Sequence, residues 1–319
     1  MSAPRLPLLA IAGPTASGKT RMAFQVARQV GGEVISADAF QIYRGLAIGT
    51  AQPTEEEREG VPLHLVGEIS PSEPFTVANF KGLAEAAIAD IASRGRLPIL
   101  CGGTGLYFRA LLRQYKFPPP PGPEGLALRR RLRAEAASQG PEVLHERLQR
   151  VDPVSAHRLS PTDARRLVRA LEVWELTGKP LSELAGVDHK PAVRYNNANY
   201  VLTCPRKALG QRIEARLEQM LASEWIEEVR CLKERGLTPG LPALRALGYG
   251  ELFAVLERRR TLAEAQESIR RETQRFAKRQ LTWFRREYGF GWMTWTTEAE
   301  FERFARYLCC VGRELLGSG

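Results

Sequence analysis

A glycine-rich octapeptide near the start of the sequence constrains the fold more than any other feature. Residues 13–20 read GPTASGKT and match the pattern G-x-x-x-x-G-K-[ST] in full. The apolar run at residues 6–12 is typical of a buried strand, and the pattern of residues 20–30 is typical of a helix. Backbone N–H groups turn inward in such a loop, and the helix N-terminus adds partial positive charge. We therefore expect a phosphate-binding loop in a parallel α/β sheet.

All residues of this phosphate loop (residues 13–20) are candidate ligands of a di- or triphosphate. They are Gly13, Pro14, Thr15, Ala16, Ser17, Gly18, Lys19 and Thr20. The Lys19 ammonium can reach the terminal phosphate, and the Thr20 hydroxyl can bind Mg²⁺. The motif by itself does not distinguish phosphate binding from phosphoryl transfer.

The rest of the chain predicts an α/β core, a P-loop NTPase-like parallel sheet, interrupted by a helical insertion. Apolar runs alternate with helical patterns in the first third, which favours a parallel sheet with crossover helices. The predicted strands are residues 6–12, 33–37, 97–101, 200–203 and 292–296. The predicted helices of the core are residues 20–30 and 75–94, a helical region between 203 and 286, and residues 298–316.

Two irregular segments bound the insertion. The proline run within residues 117–123 excludes a helix or a central strand and predicts a linker. Residues 124–184 are almost purely helical in pattern, and the polar, turn-rich residues 186–199 predict a second loop. The core is thus expected to comprise residues 1–116 and 196–319, and the insertion residues 117–195.

The composition indicates a soluble globular protein with an anionic partner. The 319 residues carry a net charge of +10. This balance favours nucleic acid, nucleotide or an acidic membrane surface, although a generally basic proteome gives the same balance. No apolar run reaches the ~18 residues that a membrane helix needs, so we expect no membrane span. Five cysteines without a CxxC pair, and an amino terminus that resembles no presequence, favour a reducing, cytoplasmic location.

Two further segments follow predicted strands and are expected at the same edge of the sheet. Asp38 comes after the strand 33–37, where a carboxylate can face the phosphate site and bind Mg²⁺ or act as a general base. The alternative for Asp38 is a strand-end or helix-capping role. Residues 102–105 read GGTG after the strand 97–101; the glycines permit a close approach to a ligand, and Thr104 offers a hydroxyl.

The most basic segment, residues 258–286, carries ten cations against three anions. Phe276, Trp283 and Phe284 are interleaved with these charges, which makes the segment a candidate nucleic-acid surface. The alternative is a solvated amphipathic helix whose aromatic residues lie in the core. The spacing alone does not separate the two interpretations.

The motifs taken together resemble the tRNA dimethylallyltransferase family, also called tRNA isopentenyltransferases. After GPTASGKT come SADAFQIYRG at residues 36–45, GTAQP at 49–53 and GGTGLY at 102–107. The series continues with VDP at 151–153, RALEV at 169–173, TGKP at 177–180 and FAKRQLTWF at 276–284. The resemblance covers nearly the whole chain in the family's order.

The resemblance implies transfer of a dimethylallyl group from dimethylallyl pyrophosphate to N6 of the adenosine 3′ of the anticodon in tRNA. The phosphate loop would hold the pyrophosphate leaving group, with Mg²⁺ bound partly by Thr20, and Thr15 would donate to the bridging oxygen. Asp38 would be the general base that accepts the N6 proton. Arg216 would face the pyrophosphate, with Arg212 one turn earlier as the fallback. The implied catalytic residues are Asp38, Thr15, Lys19 and Arg216.

For the RNA, the resemblance implies that the target adenine is flipped out of the anticodon stem-loop. The residues expected to line it are Asp38, Ala39, Phe40, Gln41 and Thr104. Cations of the insertion and of the basic segment would contact the stem-loop and its phosphates. These are Arg129, Arg165, Arg166, Arg169, Arg275, Lys278 and Arg279. A monomer suffices for such a substrate.

The sequence departs from the family pattern at several positions. Ala39 replaces the usual serine, His64 remains of a usual histidine pair, and Gly250 replaces a usual lysine. The departures bear on RNA affinity more than on the reaction. Two other functions share part of the pattern: a small-molecule P-loop kinase, and a non-catalytic RNA-binding protein that uses a nucleotide as a switch.

Overall fold

The computed structural model describes residues 5–115, 117, 122–184, 187–191 and 194–317. The chain divides into two compact units. The larger unit is Met1–Leu112 with Ala192–Gly319, and the smaller is Arg113–Pro191. Both boundaries lie a few residues before the predicted ones at 116/117 and 195/196. Residues 118–121 of the predicted linker lie outside the described residues.

The described part of the chain contains eight strands and fourteen α-helices. The strands are β1 (Leu6–Ala12), β2 (Glu33–Ser36), β3 (Leu63–His64), β4 (Pro98–Gly102), β5 (Arg113–Tyr115), β6 (Val187–Pro191), β7 (Tyr195–Thr203) and β8 (Gly291–Thr294). The helices are α1 (Lys19–Val30), α2 (Glu55–Arg58), α3 (Val77–Ser93), α4 (Gly105–Leu112), α5 (Pro123–Gln139), α6 (Pro141–Val151), α7 (Pro153–Arg158), α8 (Ala164–Thr177), α9 (Leu181–Leu184), α10 (Arg206–Ala222), α11 (Trp225–Glu234), α12 (Tyr249–Leu256), α13 (Leu262–Phe284) and α14 (Glu298–Leu315).

Six strands of the larger unit form one parallel sheet in the order β3-β2-β4-β1-β7-β8. All strands of a parallel sheet end at the same edge, so the loops after the neighbouring strands β2, β4 and β1 lie side by side. They are the phosphate loop after β1, the Asp38 loop (residues 37–41) after β2, and the glycine turn (residues 102–105) at the end of β4. The predicted α/β fold is confirmed, and it brings the three motifs together.

The prediction of one continuous polar loop over residues 186–199 is wrong. β6 pairs antiparallel with β5, and β7 begins at Tyr195 rather than at residue 200. β7 pairs with β1 along the whole length of β1. Asn197 Nδ2 donates to Asn199 Oδ1 at 2.8 Å, which satisfies two polar groups of the strand. Pairing with a buried central strand therefore outweighs the low strand propensity of asparagine.

Helices cover both faces of the sheet, and successive residues of β1 alternate between the two apolar cores that this arrangement creates. Leu8 and Ala10 belong to the core that includes residues of α3, α4, α11 and α12. Leu9 and Ile11 belong to the core that includes residues of α1 and α14. Such a two-faced core is what a parallel sheet requires.

The smaller unit contains helices α5–α9 and the β5–β6 ribbon. The leucines of its core are Leu132, Leu144, Leu148, Leu167 and Leu171. Glu172 is fully buried in this unit and is paired with Arg129 and Arg169. Across the described residues of both units, no helix is long and apolar enough to cross a membrane.

Candidate active site

A cavity of about 530 Å³ lies in the larger unit, where the phosphate loop, the Asp38 loop and the glycine turn meet. Polar groups of its wall include Thr15, Lys19, Thr20, Asp38 and Arg216. The apolar part of the wall comes mainly from α10, α11 and α13 and includes Ile213, Leu217, Met220, Trp225, Leu247, Ile269, Phe276 and Trp283. The cavity therefore combines groups suited to an anion with a large apolar wall.

The phosphate loop is held from outside by two side chains. Carbonyl groups of a buried loop need hydrogen-bond donors. Arg212 Nε donates to Ala16 O at 2.8 Å, and Trp295 Nε1 donates to Ser17 O at 2.9 Å. The Arg212 guanidinium also lies over the Trp295 ring. These contacts stabilise a loop in which Ala16 has a left-handed φ of 61°.

The two arginines proposed for the pyrophosphate have different positions. Arg216 lines the cavity. Arg212, one turn earlier on α10, contacts a carbonyl on the outer side of the phosphate loop. Its observed contacts assign Arg212 to holding the loop, and direct pyrophosphate binding by Arg212 stays a prediction.

Lys19 and Arg216 are cations that pair with no carboxylate among the described residues. Lys19 Nζ donates to Pro14 O at 3.1 Å within the phosphate loop. Burial is the main cause that lowers the pKa of Lys19, and the charge of Arg216 acts in the same direction. Burial also lowers the pKa of Arg216. Because a bound polyanion favours both charged forms, the pair is prepared for an anionic ligand.

Thr20 and Cys101 line the cavity next to Lys19. Burial raises the pKa of the Cys101 thiol to about 11, although a hydrogen bond with the Thr20 side chain and the charge of Lys19 act in the opposite direction. The thiol is therefore protonated at neutral pH. Thr20 lines the cavity, and the role of its hydroxyl as a magnesium ligand stays a prediction.

Asp38 follows β2 and lines the cavity, as the sequence predicts. Its Oδ1 accepts hydrogen bonds from the backbone N–H groups of Phe40 at 2.9 Å and Gln41 at 3.4 Å. No donor among the described residues bonds to Oδ2. The first carboxylate oxygen thus fixes the loop, while the second is free to accept a proton from a ligand.

The Asp38 loop is tied to the glycine turn through Thr104. The N–H of Ala39 donates to Thr104 Oγ1 at 3.1 Å, and the N–H of Thr104 donates to Ala37 O at 3.2 Å. Ala39, Phe40 and Thr104 line the cavity, and their contact with the adenine stays a prediction. The position of the proposed base is therefore linked to that of the neighbouring turn.

Gln41 also lines the cavity, but its side chain is engaged within the protein. Gln41 Nε2 donates to the carbonyl oxygens of Thr50 at 3.2 Å and Ala51 at 3.0 Å. Its Oε1 accepts from Ser36 Oγ at 2.8 Å. These bonds give Gln41 a role in shaping the loop, and contact with RNA through its amide stays a prediction.

Gln280 is a residue of this site that the sequence analysis did not single out. It is only 6% exposed and lies on α13 on the same face as Ala277 and Phe284. Gln280 Oε1 accepts from the N–H of Thr15 at 2.9 Å, and Nε2 donates to Gly103 O at 3.0 Å. A polar residue within the apolar stripe of a helix is the sequence signal that marks it.

The cations of the basic segment that are predicted to contact RNA belong to α13. Arg275, Lys278 and Arg279 are exposed, whereas Ala277 and Gln280 are buried. Arg275 pairs with Glu272 one turn earlier, and Arg279 lines the cavity. Phe284 lies in the core, as the amphipathic-helix interpretation expects, whereas a nucleic-acid surface formed by the cations stays a prediction.

The four arginines predicted for RNA contact in the smaller unit fall into two groups. Arg129 and Arg169 both pair with the buried Glu172, and their charges are used in the interior of that unit. Arg165 and Arg166 are exposed, and Arg166 forms a local pair with Asp163. Exposure makes Arg165 and Arg166 the better candidates for a surface contact.

Comparison with known proteins identifies the relatives of this chain. The IPP transferase family matches residues 41–287, and the isopentenyl transferase family matches residues 6–65. A tRNA dimethylallyltransferase from Pelotomaculum thermopropionicum is 45% identical over 94% of this chain and 94% of its own. The corresponding protein of Geobacillus kaustophilus is 46% identical over 93% of this chain and 95% of its own.

Solved structures agree with the sequence relatives. The tRNA isopentenylpyrophosphate transferase of Bacillus halodurans is similar with a TM-score of 0.71 at 37% identity, over 98% of each chain. A eukaryotic dimethylallyltransferase acting on tRNA is similar with a TM-score of 0.83 at 25% identity, over 98% of this chain and 80% of that one. Full-length similarity in sequence and in fold confirms the resemblance seen in the motifs. This chain belongs to the tRNA dimethylallyltransferase family and is an enzyme of the prenyltransferase type.

Proposed function

We propose that this enzyme transfers a dimethylallyl group from dimethylallyl pyrophosphate to N6 of the adenosine 3′ of the anticodon in tRNA. One observation carries the proposal: a free carboxylate oxygen, that of Asp38, shares a cavity with the phosphate loop and with an apolar wall. A prenyl pyrophosphate needs the phosphate loop for its pyrophosphate and the apolar wall for its prenyl chain. The attacking amine needs the carboxylate oxygen to accept its proton. The names of the relatives support this reaction over the kinase alternative.

The pyrophosphate leaves as an anion, so groups that neutralise it lower the barrier to breaking the allylic carbon–oxygen bond. In the proposal, this stabilisation comes from the cations Lys19 and Arg216 and from N–H groups of the phosphate loop other than those of Gly13, Thr15 and Ser17, which are bonded within the protein. Thr15 lines the same cavity, and its hydroxyl donates to the bridging oxygen. Binding of the anion raises the pKa values of Lys19 and Arg216, because the anion favours their charged forms.

The donor set of the cavity fits a Mg²⁺ ion that is carried mainly by the substrate. Mg²⁺ keeps several waters and takes one or two protein ligands together with phosphate oxygens. Thr20 contributes a hydroxyl, and no group of three or more His, Cys, Asp or Glu in the described residues could hold a metal ion. When bound, the ion would neutralise charge on the pyrophosphate.

The base step uses Asp38. Adenine N6 is a weak nucleophile because its lone pair is delocalised into the ring, and removal of its proton as the new bond forms favours attack. Oδ2 of Asp38 accepts that proton, while Oδ1 keeps its bonds to the N–H groups of Phe40 and Gln41. The carboxylate is thereby held in one orientation during the transfer.

The dimethylallyl chain occupies the apolar wall in this proposal. Ile213 and Leu217 lie on α10, the helix that also carries Arg216, so the chain and its pyrophosphate contact one helix. Burial of the five-carbon chain also keeps water away from the allylic cation-like centre. The wall thus serves both binding and protection from hydrolysis.

The RNA reaches this site with its adenine unstacked, at a cost of roughly a few kcal/mol. Exposed cations of α13, with Arg165 and Arg166 of the smaller unit, contact the phosphates of the anticodon stem-loop. The enzyme acts as a monomer in the cytoplasm in this proposal, since one stem-loop needs one site.

The test is incubation of the purified protein with unmodified tRNA, Mg²⁺ and dimethylallyl pyrophosphate, followed by mass spectrometry of the digested nucleosides. We expect a five-carbon mass gain on adenosine that depends on the pyrophosphate donor. A parallel reaction with ATP and tRNA tests the kinase and nucleotide-switch alternatives. ATP turnover without prenylated adenosine would overturn the proposal in favour of one of them.

A further inference from the structure

We infer that Gln280 is a positioning residue that links the phosphate loop to the loop of the proposed base. The inference rests on the proposed function, because Thr15 and Asp38 gain their roles from it. Gln280 is the residue of α13 that bonds to both the phosphate loop and the glycine turn.

Three hydrogen bonds, joined by covalent links of the backbone, connect the phosphate loop to the Asp38 loop through this side chain. The path begins at the N–H of Thr15, which donates to Gln280 Oε1 at 2.9 Å, and continues from Gln280 Nε2 to Gly103 O at 3.0 Å. The next residue, Thr104, accepts from the N–H of Ala39 at 3.1 Å. Ala39 adjoins Asp38, so the path joins the leaving-group side of the cavity to the base side.

The packing around Gln280 indicates that this link is specific. A Cβ atom on Gly103 would lie 2.1 Å from Gln280 Nε2, so the amide occupies space that any other residue in the turn would fill. An amide at 6% exposure is favourable only when both of its polar ends are bonded. An apolar side chain would fill the same space without that requirement, so filling space does not explain a glutamine here.

The direction of the Thr15 N–H supports a positioning role over a binding role. This N–H donates to Gln280. The bond fixes the backbone that carries the Thr15 hydroxyl, which lines the cavity. Gln280 thereby orients a group that touches the substrate, and acts through Thr15 and Asp38.

The primary variant is Gln280→Met, which keeps the length of the side chain and removes both hydrogen bonds. Misplacement of reacting groups by about 1 Å costs up to roughly 100-fold in rate, so we expect kcat to fall about 10- to 100-fold. We expect KM for tRNA and for dimethylallyl pyrophosphate, and the Kd for inorganic pyrophosphate, to change less than about threefold. The control is Gln266→Met, the same substitution on the same helix, with kcat and KM near wild type.

Two further measurements separate positioning from folding and from independent action. Gln280→Glu keeps the acceptor for Thr15 and loses the donor to Gly103, so it should also lose kcat if the link between the loops matters. Added to Asp38→Asn, Gln280→Met should lower the residual rate less than it lowers the wild-type rate, because both changes act on the same step. Unfolding temperatures of all variants check that each is folded.

The inference is overturned if folded Gln280→Met has a kcat within twofold of wild type, or if only its KM values rise. It is also overturned if Gln280→Glu alone behaves as wild type, since a single acceptor would then suffice. Absence of product from the wild-type enzyme would instead contradict the proposed function, because the assay includes wild type on the same tRNA.

Discussion

Strand β2 begins with Glu33 and is followed by Asp38, and the carboxylates of these two residues have different hydrogen-bond partners. Glu33, the first residue of the strand, is 2% exposed and is contacted by Arg94, by Arg96 at 2.9 Å and by His64 at 2.8 Å. Hydrogen bonds from Arg94 are the main cause that lowers the pKa of Glu33 to about 2. Asp38, just beyond the other end, is bonded only to N–H groups of its own loop among the described residues.

The comparison shows two uses of a carboxylate charge: that of Glu33 stabilises the fold, and that of Asp38 is available to a ligand. Both carboxylate oxygens of Glu33 accept hydrogen bonds from arginine or histidine side chains. This carboxylate therefore contributes to the stability of the fold and has no oxygen left for a ligand. Oδ2 of Asp38 and the cations Lys19 and Arg216 share one cavity without forming ion pairs in the described chain. Glu172 of the smaller unit repeats the pattern of Glu33, with Arg129 and Arg169 as its partners.

The largest expected effect is that of Asp38→Asn. The amide cannot accept the N6 proton, so turnover should fall about 10³-fold while tRNA and prenyl pyrophosphate still bind. Single-turnover assays with saturating substrates measure the loss. Asp90→Asn, the same change at an exposed position paired with Arg94, is the control. Near-wild-type turnover of Asp38→Asn would remove this residue as the base.

Lys19→Ala should have the next largest effect. Loss of a charge-assisted contact to a polyanion weakens pyrophosphate binding by about 10- to 100-fold and lowers the rate as well. Titration calorimetry with a non-reactive prenyl pyrophosphate analogue measures the affinity. Lys233→Ala, at an exposed position of α11, should leave it unchanged. An unchanged dissociation constant for Lys19→Ala would contradict the assignment.

Glu33→Gln should affect stability and leave catalysis intact. Removal of the carboxylate takes the charged partner from Arg96 and leaves Arg94 with Asp90 alone, and we expect a loss on the order of 1–3 kcal/mol in the free energy of unfolding. Chemical denaturation of both proteins at pH 7 measures this loss. The kcat of Glu33→Gln should stay within about twofold of wild type, because the residue lies at the opposite end of β2 from the cavity.

The same variant gives a pH test. The pKa of Glu33 is lowered from 4.5 to about 2, so its stabilising effect is complete above pH 4.5 and is lost as the pH falls towards 2. The difference in stability between wild type and Glu33→Gln should therefore shrink over that range. A difference that stays constant from pH 6 to pH 3 would show that the ionised form of Glu33 adds no stability.

The smallest expected effect comes from an exposed arginine of the smaller unit. Arg165→Ala should weaken tRNA binding a few-fold and lower the slope of log K against log salt by about 1, with no change in unfolding temperature. Arg169→Ala is the matched comparison, because Arg169 pairs with Glu172 and its loss should lower the unfolding temperature. A normal salt slope for Arg165→Ala would exclude a phosphate contact.

The sequence was sufficient for the parts of the site that depend on local pattern. GPTASGKT after an apolar run predicts β1, the phosphate loop and α1, and Asp38 and the glycine turn follow strands that the same alternation predicts. The sheet then brings these loops to one edge, because parallel strands end together. The sequence therefore predicts that these loops lie together at one edge of the sheet.

Contacts between distant parts of the chain were beyond reach of the sequence. Gln280, Trp295 and the outward role of Arg212 depend on which helix packs against which loop. The sharing of Glu172 by Arg129 and Arg169 depends equally on helix packing, whereas the family resemblance implies RNA contacts for both arginines. The sequence predicts a shorter β7, because asparagines are typical of turns. Pairing with β1 determines the actual length of this strand.

The support of the phosphate loop by Trp295 and Gln280 bears on the timing of protein synthesis. Trp295 follows Ser17 by 278 positions, and Gln280 follows Thr15 by 265. At about 5–20 residues per second, roughly 15 to 60 seconds separate translation of the loop from that of the residues that hold it. A growing chain on the ribosome therefore carries the phosphate-loop motif early but acquires a braced loop only after Gln280 and Trp295 have been synthesised.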